Sequence, residues 1–219
     1  FAHVASHDLQ EPLRMISSYT ELLERRYRDA LDERARKYID YAADGARRMQ
    51  SMISGLLEYS RVAQLEDEPG VVDLNEILAT VRRDLSVALE EEGGTLEVAS
   101  LPLVRGDPDR LAQVFRNLIA NAIKFRGEVD PEIRVTAEDC GGTWRVGVHD
   151  NGIGIEPEYF DQIFVVFKRL NSRREYAGAG VGLALCRKIV EHHGGRMEVE
   201  SRPGEGSSFY LTLPGVEPA

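Results

Sequence analysis

The sequence has little of what marks membrane, secreted and nucleic-acid-binding proteins. It has only two cysteines, Cys140 and Cys186, and neither shares a motif with the other or with a histidine. A disulfide or a cysteine-bound metal is therefore not expected, and a cytoplasmic location fits. No apolar run approaches the roughly 18 residues of a membrane span, and no signal peptide is evident. A net charge of −10 argues against a general nucleic-acid binder.

The remaining composition is that of a globular protein, with 42% hydrophobic and 29% charged residues. The chain opens at Phe1 inside an apparent helix with no capping residue before it. We therefore expect it to be part of a longer protein, and whether that protein is soluble or membrane-anchored stays open.

The first 64 residues predict two long helices, the first ending near Tyr27 and the second capped by Asp32. The first helix carries an apolar stripe of Leu9, Leu13, Ile16 and Leu23. The second repeats apolar residues at alternating spacings of four and three, which is typical of a helical-bundle seam. Two helices alone cannot enclose this seam, so we expect two hairpins to pair into a dimeric four-helix bundle. The seam consists of Ala35, Ile39, Ala42, Ala46, Met49, Ile53 and Leu56.

An acidic linker ending in Pro69-Gly70 precedes a mixed pattern of helices and strands. We predict helices over 74–91, 107–125, 157–164 and 181–193, strands over 95–99, 132–138, 143–149, 196–201 and 207–213, and a mobile loop over 170–180. This order indicates an α+β fold with helices covering one face of a sheet. The predicted domains are residues 1–66 and 67–219.

His7 lies beside Asp8 on the side of the first helix opposite the apolar stripe. A neighbouring carboxylate can hold an exposed imidazole in one tautomer and leave the other ring nitrogen as a nucleophile. Pro12 has no N–H for the carbonyl of Asp8, so we expect a bend just after the histidine. The alternative is a plain surface histidine ahead of a helix that starts at Pro12.

Asn117, Asn121 and Lys124 are spaced i, i+4 and i+7 on a predicted helix and share one face. Amide oxygens can ligate Mg²⁺, and a lysine can contact phosphate. The alternative is a polar stripe that satisfies buried backbone groups.

Asp150 follows a predicted strand and opens an Asp-x-Gly-x-Gly motif with Gly152 and Gly154. A carboxylate there can accept a hydrogen bond from an exocyclic amine, and the glycines allow a flat ring to approach closely. An ordinary turn has the same sequence pattern.

Gly178, Gly180 and Gly182 open a predicted helix, where free N–H groups and the helix dipole favour an anion. The segment lacks both the lysine of a P-loop and the βαβ context of a dinucleotide fingerprint. Lys168 and Arg169 precede it and can reach a γ-phosphate when the loop closes.

Taken in this order, the motifs resemble the transmitter module of a two-component sensor histidine kinase, especially of kinases linked to PAS or phytochrome-type sensors. The resemblance covers residues 1–214. It implies that His7 is the phosphoacceptor and Asp8 its orienting base. It also implies ATP and Mg²⁺ as cofactors, a homodimer, a response regulator receiver domain as partner, an upstream sensor domain, and a Bergerat-type α/β sandwich for ATP.

The resemblance further implies that Asn121, rather than Asn117, ligates Mg²⁺, and that Asp150 recognises the adenine amino group. The nucleotide-binding residues that it implies are Asn117, Asn121, Lys124, Asp150, Gly152, Gly154, Arg169, Gly178, Gly180, Gly182, Leu183 and Ser207. The sequence departs from the family pattern at Ala179, where threonine is usual, and at Glu11, where threonine or asparagine is frequent.

Two other functions fit parts of the sequence. ATP-driven conformational clamps resemble only residues 75–213, and they use a glutamate at the position of Asn117 to activate water. An amide cannot take that proton, so phosphoryl transfer fits this chain better than hydrolysis. A catalytically dead dimeric scaffold should show degraded motifs, whereas His7, Asn121 and Asp150 are all in place.

Overall fold

The structure is a computed structural model that describes residues 2–28, 31–62, 70–170 and 179–216, with side chains described from residue 10 onward. Two long helices come first, α1 (Ala2–Tyr27) and α2 (Glu33–Val62). The side chain of Asp32 accepts a hydrogen bond from the N–H of Ala35 at 2.7 Å, which confirms the predicted cap. No helix of the described residues combines the length and the apolar character needed to cross a bilayer.

The two helices pack against each other but bury few of their side chains. Leu13, Ala43 and Ala46 are buried, and the alanines let the two backbones come close. The larger side chains of the two predicted stripes, Ile16, Leu23, Met49 and Leu56, are between 42% and 48% exposed. The expectation of an apolar core is therefore met only in part within one chain.

The rest of the described chain alternates helices with short strands. Its elements are β1 (Gly70–Asp73), α3 (Leu74–Asp84), α4 (Ser86–Glu91), β2 (Thr95–Val98), β3 (Leu103–Gly106), α5 (Pro108–Lys124), β4 (Glu132–Asp139), β5 (Thr143–Asp150), α6 (Gly182–His192), β6 (Met197–Arg202) and β7 (Gly206–Pro214).

Five strands form a mixed sheet in the order β2-β4-β5-β7-β6. Strand β2 runs parallel to β4, and the other neighbours are antiparallel. Alternate residues of the central strands, such as Val146, Val148, Leu211 and Leu213, are buried on the face that α5 and α6 cover. The predicted α+β architecture is confirmed.

Two predicted helices differ from the observed ones. The helix expected over 74–91 is interrupted at Leu85, where the Ser86 hydroxyl donates to the carbonyl of Arg83 at 3.0 Å and competes with the helical pattern. The segment 157–164 forms two 3₁₀ turns, Pro157–Tyr159 and Gln162–Phe164, because its hydrogen bonds span three residues instead of four.

A two-stranded sheet of β1 and β3 was not expected from the sequence. Each strand has four residues, and Gly70 pairs with Gly106 across a long stretch of chain. So short a strand shows too little alternation to be recognised without its partner. Most of the predicted linker and loop, 63–69 and 171–178, lies outside the described residues.

Candidate functional site

A cleft of about 420 Å³ opens between α5, the end of β5, the start of β7 and the first turn of α6. This volume lies within the range of small-molecule sites. Ten of the residues predicted to bind nucleotide line it together: Asn117, Asn121, Lys124, Asp150, Gly154, Arg169, Gly180, Gly182, Leu183 and Ser207.

Helix α5 forms one wall of the cleft. The side chain of Asp107 caps it by accepting from the N–H groups of Asp109 and Arg110 at 2.8 and 3.0 Å. Its apolar face is buried in the core, and one stripe of its polar residues faces the cleft. This is why Asn117, Asn121 and Lys124 share one wall.

Asp150 supplies a largely buried carboxyl group at the end of β5. Its Oδ1 accepts from the N–H of Gly152 at 2.9 Å and from the N–H of Ser207 at 3.1 Å. Burial raises the pKa of Asp150, and these two hydrogen bonds oppose the rise because they favour the charged form. Two backbone donors thus hold the carboxylate in place as a hydrogen-bond acceptor.

Gly152 and Gly154 allow the loop after Asp150 to press against two stretches of backbone. A Cβ atom at Gly152 would overlap the carbonyl oxygen of Phe125. Gly154 has φ +70°, and a Cβ there would overlap the carbonyl oxygen of Arg202. Gly152 itself lies behind Asp150 and does not line the cleft.

The first turn of α6 forms the other end of the cleft, with Gly180, Gly182 and Leu183 exposed to it. A helix N-terminus favours an anion there. Lys124 faces the same end, and burial, followed by repulsion from Arg169, lowers the pKa of its ammonium group. Its Nζ lies 4.3 Å from the ring centroid of Phe125.

Cys186 connects the two helical walls and was not recognised from the sequence. The thiol is fully buried, which raises its pKa to about 12, and a hydrogen bond with the side chain of Asn117 opposes that rise. The Asn117 amide is thereby held against α6. The spacing of Cys186, one turn after Gly182, is the signal that sequence analysis overlooked.

Several apolar side chains that line the cleft were also missed. Ile153 and Ile155 flank Gly154, and Ile163 and Phe209 complete an apolar wall close to Asp150. Apolar walls with one fixed polar group are typical of sites that bind a flat heterocycle. The Ile-Gly-Ile pattern could have indicated them.

Three predicted residues are not placed by the structure. His7 and Asp8 belong to α1, but their side chains are outside the described part of the chain, and so is the whole of Gly178. In the described ranges, no cluster of three or more His, Cys, Asp or Glu residues forms a metal site.

Comparison with family models assigns both parts of the chain. Residues 1–65 match the His Kinase A (phospho-acceptor) domain. Residues 106–217 match the histidine kinase-, DNA gyrase B- and HSP90-like ATPase family.

Relatives of known name match nearly the whole chain. It is 47% identical over 214 residues to the phytochrome-like protein Cph1 of Synechocystis sp., a match that covers 98% of this chain and 29% of Cph1. It is 46% identical to cyanobacterial phytochrome A of Nostoc sp., over 98% of this chain and 28% of that protein. The chain therefore spans less than a third of these relatives.

Solved structures show the same architecture. Full-length ShkA in complex with AMPPNP matches with a TM-score of 0.74 and 27% identity, over 100% of this chain and 46% of ShkA. The histidine kinase ThkA in complex with the response regulator protein TrrA matches with a TM-score of 0.65 and 25% identity, over 97% of this chain and 61% of that chain.

Proposed function

This chain belongs to the histidine kinase family, and from that premise we propose that it is the transmitter module of a sensor kinase. It transfers the γ-phosphoryl group of ATP to a ring nitrogen of His7, with Asp8 orienting the imidazole. A P–N bond forms, the bond to the bridging oxygen breaks, and ADP leaves. The phosphoryl group then passes to an aspartate of a response regulator receiver domain.

One observation carries this proposal: a fixed, buried carboxylate and a glycine-rich helix N-terminus lie in the same cleft. Asp150 suits the exocyclic amine of adenine, with Gly154 beside the ring and Gly152 behind the loop that carries it. The N–H groups at Gly180, Gly182 and Leu183 suit the phosphates, and Gly178 is assigned with them. Lys124 and Arg169 add positive charge at that end.

Mg²⁺ fits this cleft only together with the substrate's phosphates. The described residues hold no carboxylate cluster for a metal, and Mg²⁺ commonly takes few protein ligands in addition to phosphate oxygens. Asn121, with Asn117 beside it, lines the phosphate end and can supply an amide oxygen. When bound, the ion would neutralise charge on the phosphates.

The larger assembly is part of the same proposal. Residues 1–66 form the phosphoacceptor and dimerisation hairpin, and residues 67–219 form the ATP-binding domain. A homodimer forms through α1 and α2, a sensor domain precedes the chain in the full protein, and the module works in the cytoplasm. The phytochrome names of two relatives and the ThkA–TrrA complex support these assignments. A conformational clamp is less favoured, because it gives the His7 hairpin no role.

The test is phosphorylation by γ-labelled ATP. We expect a phosphoryl group that is labile to acid and stable to alkali, and that is absent from His7→Gln. His3→Gln, four residues earlier in α1, is the matched control and should incorporate label like the wild type. Both variants should bind a fluorescent ATP analogue normally. Label that persists in His7→Gln at the wild-type level would refute the assignment.

A further inference from the structure

A second face of α2, separate from the one that contacts α1, packs on the ATP-binding domain. Gly55, Glu58, Tyr59 and Val62 are spaced i, i+3, i+4 and i+7 and lie on this face. Val62 is fully buried in the core of that domain, and Tyr59 packs against the same core. Glu58 accepts a hydrogen bond from the Gln113 side chain of α5 at 3.2 Å.

At Gly55 the missing side chain leaves space for Val181. A Cβ atom at Gly55 would lie 3.0 Å from Cβ and Cγ2 of Val181 and 3.1 Å from its Cγ1. Because the Cβ of Val181 is itself one of these contacts, no rotamer of the valine would remove the crowding. Val181 is only 4% exposed, so it has little room to retreat.

A second glycine in the same helix has no such neighbour. A Cβ at Gly45 would come no nearer than 3.8 Å to the end of the Arg48 side chain. Glycine weakens a helix interior relative to alanine at either position. Only at Gly55 does a contact require the glycine.

Val181 lies between two residues of the nucleotide cleft. Its neighbours Gly180 and Gly182 line the cleft, and its carbonyl accepts the N–H of Leu185 at 2.9 Å in the first turn of α6. The contact with Gly55 therefore fixes where the phosphate end of the cleft lies along α2.

That level along α2 corresponds to the level of His7 along α1. His7 lies 20 residues before Tyr27, the end of α1, and Ile53 lies 20 residues after Glu33, the start of α2. In two antiparallel helices these positions lie at about the same level along the hairpin, and Gly55 is two residues further, about 3 Å along the axis.

We propose that Gly55 is a positioning residue for phosphoryl transfer. Because Gly55 has no side chain, Val181 can pack directly against α2, and this Gly55–Val181 contact holds the first turn of α6 level with His7. This inference rests on the proposed function. It assigns Gly55 no contact with ATP or with the reacting atoms.

Gly55→Ala tests the Gly55–Val181 contact by adding a single methyl group. We expect the autophosphorylation rate at saturating ATP to fall about tenfold, because the added methyl group pushes Val181, and the ATP-binding domain with it, away from α2. The affinity for a fluorescent ATP analogue should stay within about twofold, since the cleft itself is unchanged. Gly45→Ala adds the same methyl group to the same helix and should leave the rate unchanged. Adding Val181→Ala to Gly55→Ala should restore most of the rate, because it returns the space.

The Gly55–Val181 contact can also be tested without a phosphorylation assay, by measuring amide hydrogen exchange over residues 53–62. Gly55→Ala should speed exchange there and Gly45→Ala should not. An unchanged or faster phosphorylation rate in Gly55→Ala, or no recovery with Val181→Ala, would overturn the inference. If the wild type shows no autophosphorylation, the proposed function is refuted. The exchange comparison of the two glycine variants still tests the Gly55–Val181 contact independently.

Discussion

At the scale of the residue, Asp150 combines two opposing requirements. A buried carboxylate is costly to keep charged, yet the charged form is the better acceptor for an amino group. Burial raises its pKa above the ordinary value of 3.8, and two backbone N–H groups offset part of that cost. Binding capacity is thus maintained at the expense of stability.

Asp150→Asn should therefore change affinity and stability in opposite directions. The amide keeps an oxygen for the N–H groups of Gly152 and Ser207 but loses the charge. We expect affinity for an ATP analogue to fall by about ten- to a hundredfold, and the Tm of the nucleotide-free protein to rise at neutral pH. Fluorescence titration and calorimetry measure the two effects. Asp161→Asn, at an exposed carboxylate, should change neither.

The pH dependence of that stability difference has a defined sign. The folded state binds its proton more tightly than the unfolded state, so the wild type is destabilised above the raised pKa and not below 3.8. The Tm advantage of Asp150→Asn should be full at neutral pH and should fade as the pH falls through that interval. An advantage independent of pH would mean that burial of the charge is not its cause.

Residue types in the site were predictable, but their contacts were not. The motif around Asp150 identifies an acid and its glycines within five residues. The second donor, Ser207, reaches Asp150 only because β5 and β7 pair in a register that places these two residues opposite each other. No local pattern encodes that register, and the same applies to the bond between Cys186 and Asn117.

At the scale of the element, α5 shows how an end of a helix supports the site. Asp107 caps its first turn, and the backbone N–H of Asp107 donates to Nε2 of His193 at 2.9 Å. The Nδ1 of His193 in turn donates to the carbonyl of Ile189 at 2.7 Å. One end of α5 is therefore tied to the end of α6, so the two walls of the cleft are fixed to each other.

Asp107→Ala should lower the free energy of unfolding by about 1 kcal/mol, because two N–H groups of the first turn lose their acceptor. Asp107→Ser keeps a capping oxygen and should recover most of this loss. Urea unfolding followed by circular dichroism measures both. Equal destabilisation by alanine and serine would mean that the charge of Asp107, and not its capping bonds, stabilises the helix.

Helix starts marked by a capping aspartate were predicted well, and two interruptions without a side-chain cap were missed. Asp32 and Asp107 marked the starts of α2 and α5 correctly, and a glycine followed α6. The interruption at Leu85 and the 3₁₀ turns near Tyr159 have no side-chain cap. The apolar periodicity of the sequence continues through such points, although the α-helical backbone is interrupted there.

At the scale of the whole molecule, the hairpin leaves most of its large apolar side chains uncovered. On α1 these include Met15, Ile16, Tyr19 and Leu23, each more than 40% exposed. On α2, Met49 and Leu56 are exposed as well. The sequence alone predicted apolar stripes that contain Ile16, Leu23, Met49 and Leu56, but it could not show that one hairpin leaves these side chains exposed. A second hairpin is the simplest cover for such a surface.

Pairing of two hairpins through this exposed surface would double the mass of the particle in solution. Light scattering at micromolar concentration should give twice the chain mass of 24.5 kDa. Leu23→Glu combined with Leu56→Glu places charges on the exposed stripe of each helix and should yield a monomer that keeps its helical content, because neither side chain is part of the packed core. Val87→Glu, at a 64% exposed valine of α4, is the matched control and should remain dimeric. If the hairpin variant stays dimeric, or the wild type is a monomer, then the exposed stripe is not the dimer interface, and the surface must serve another partner.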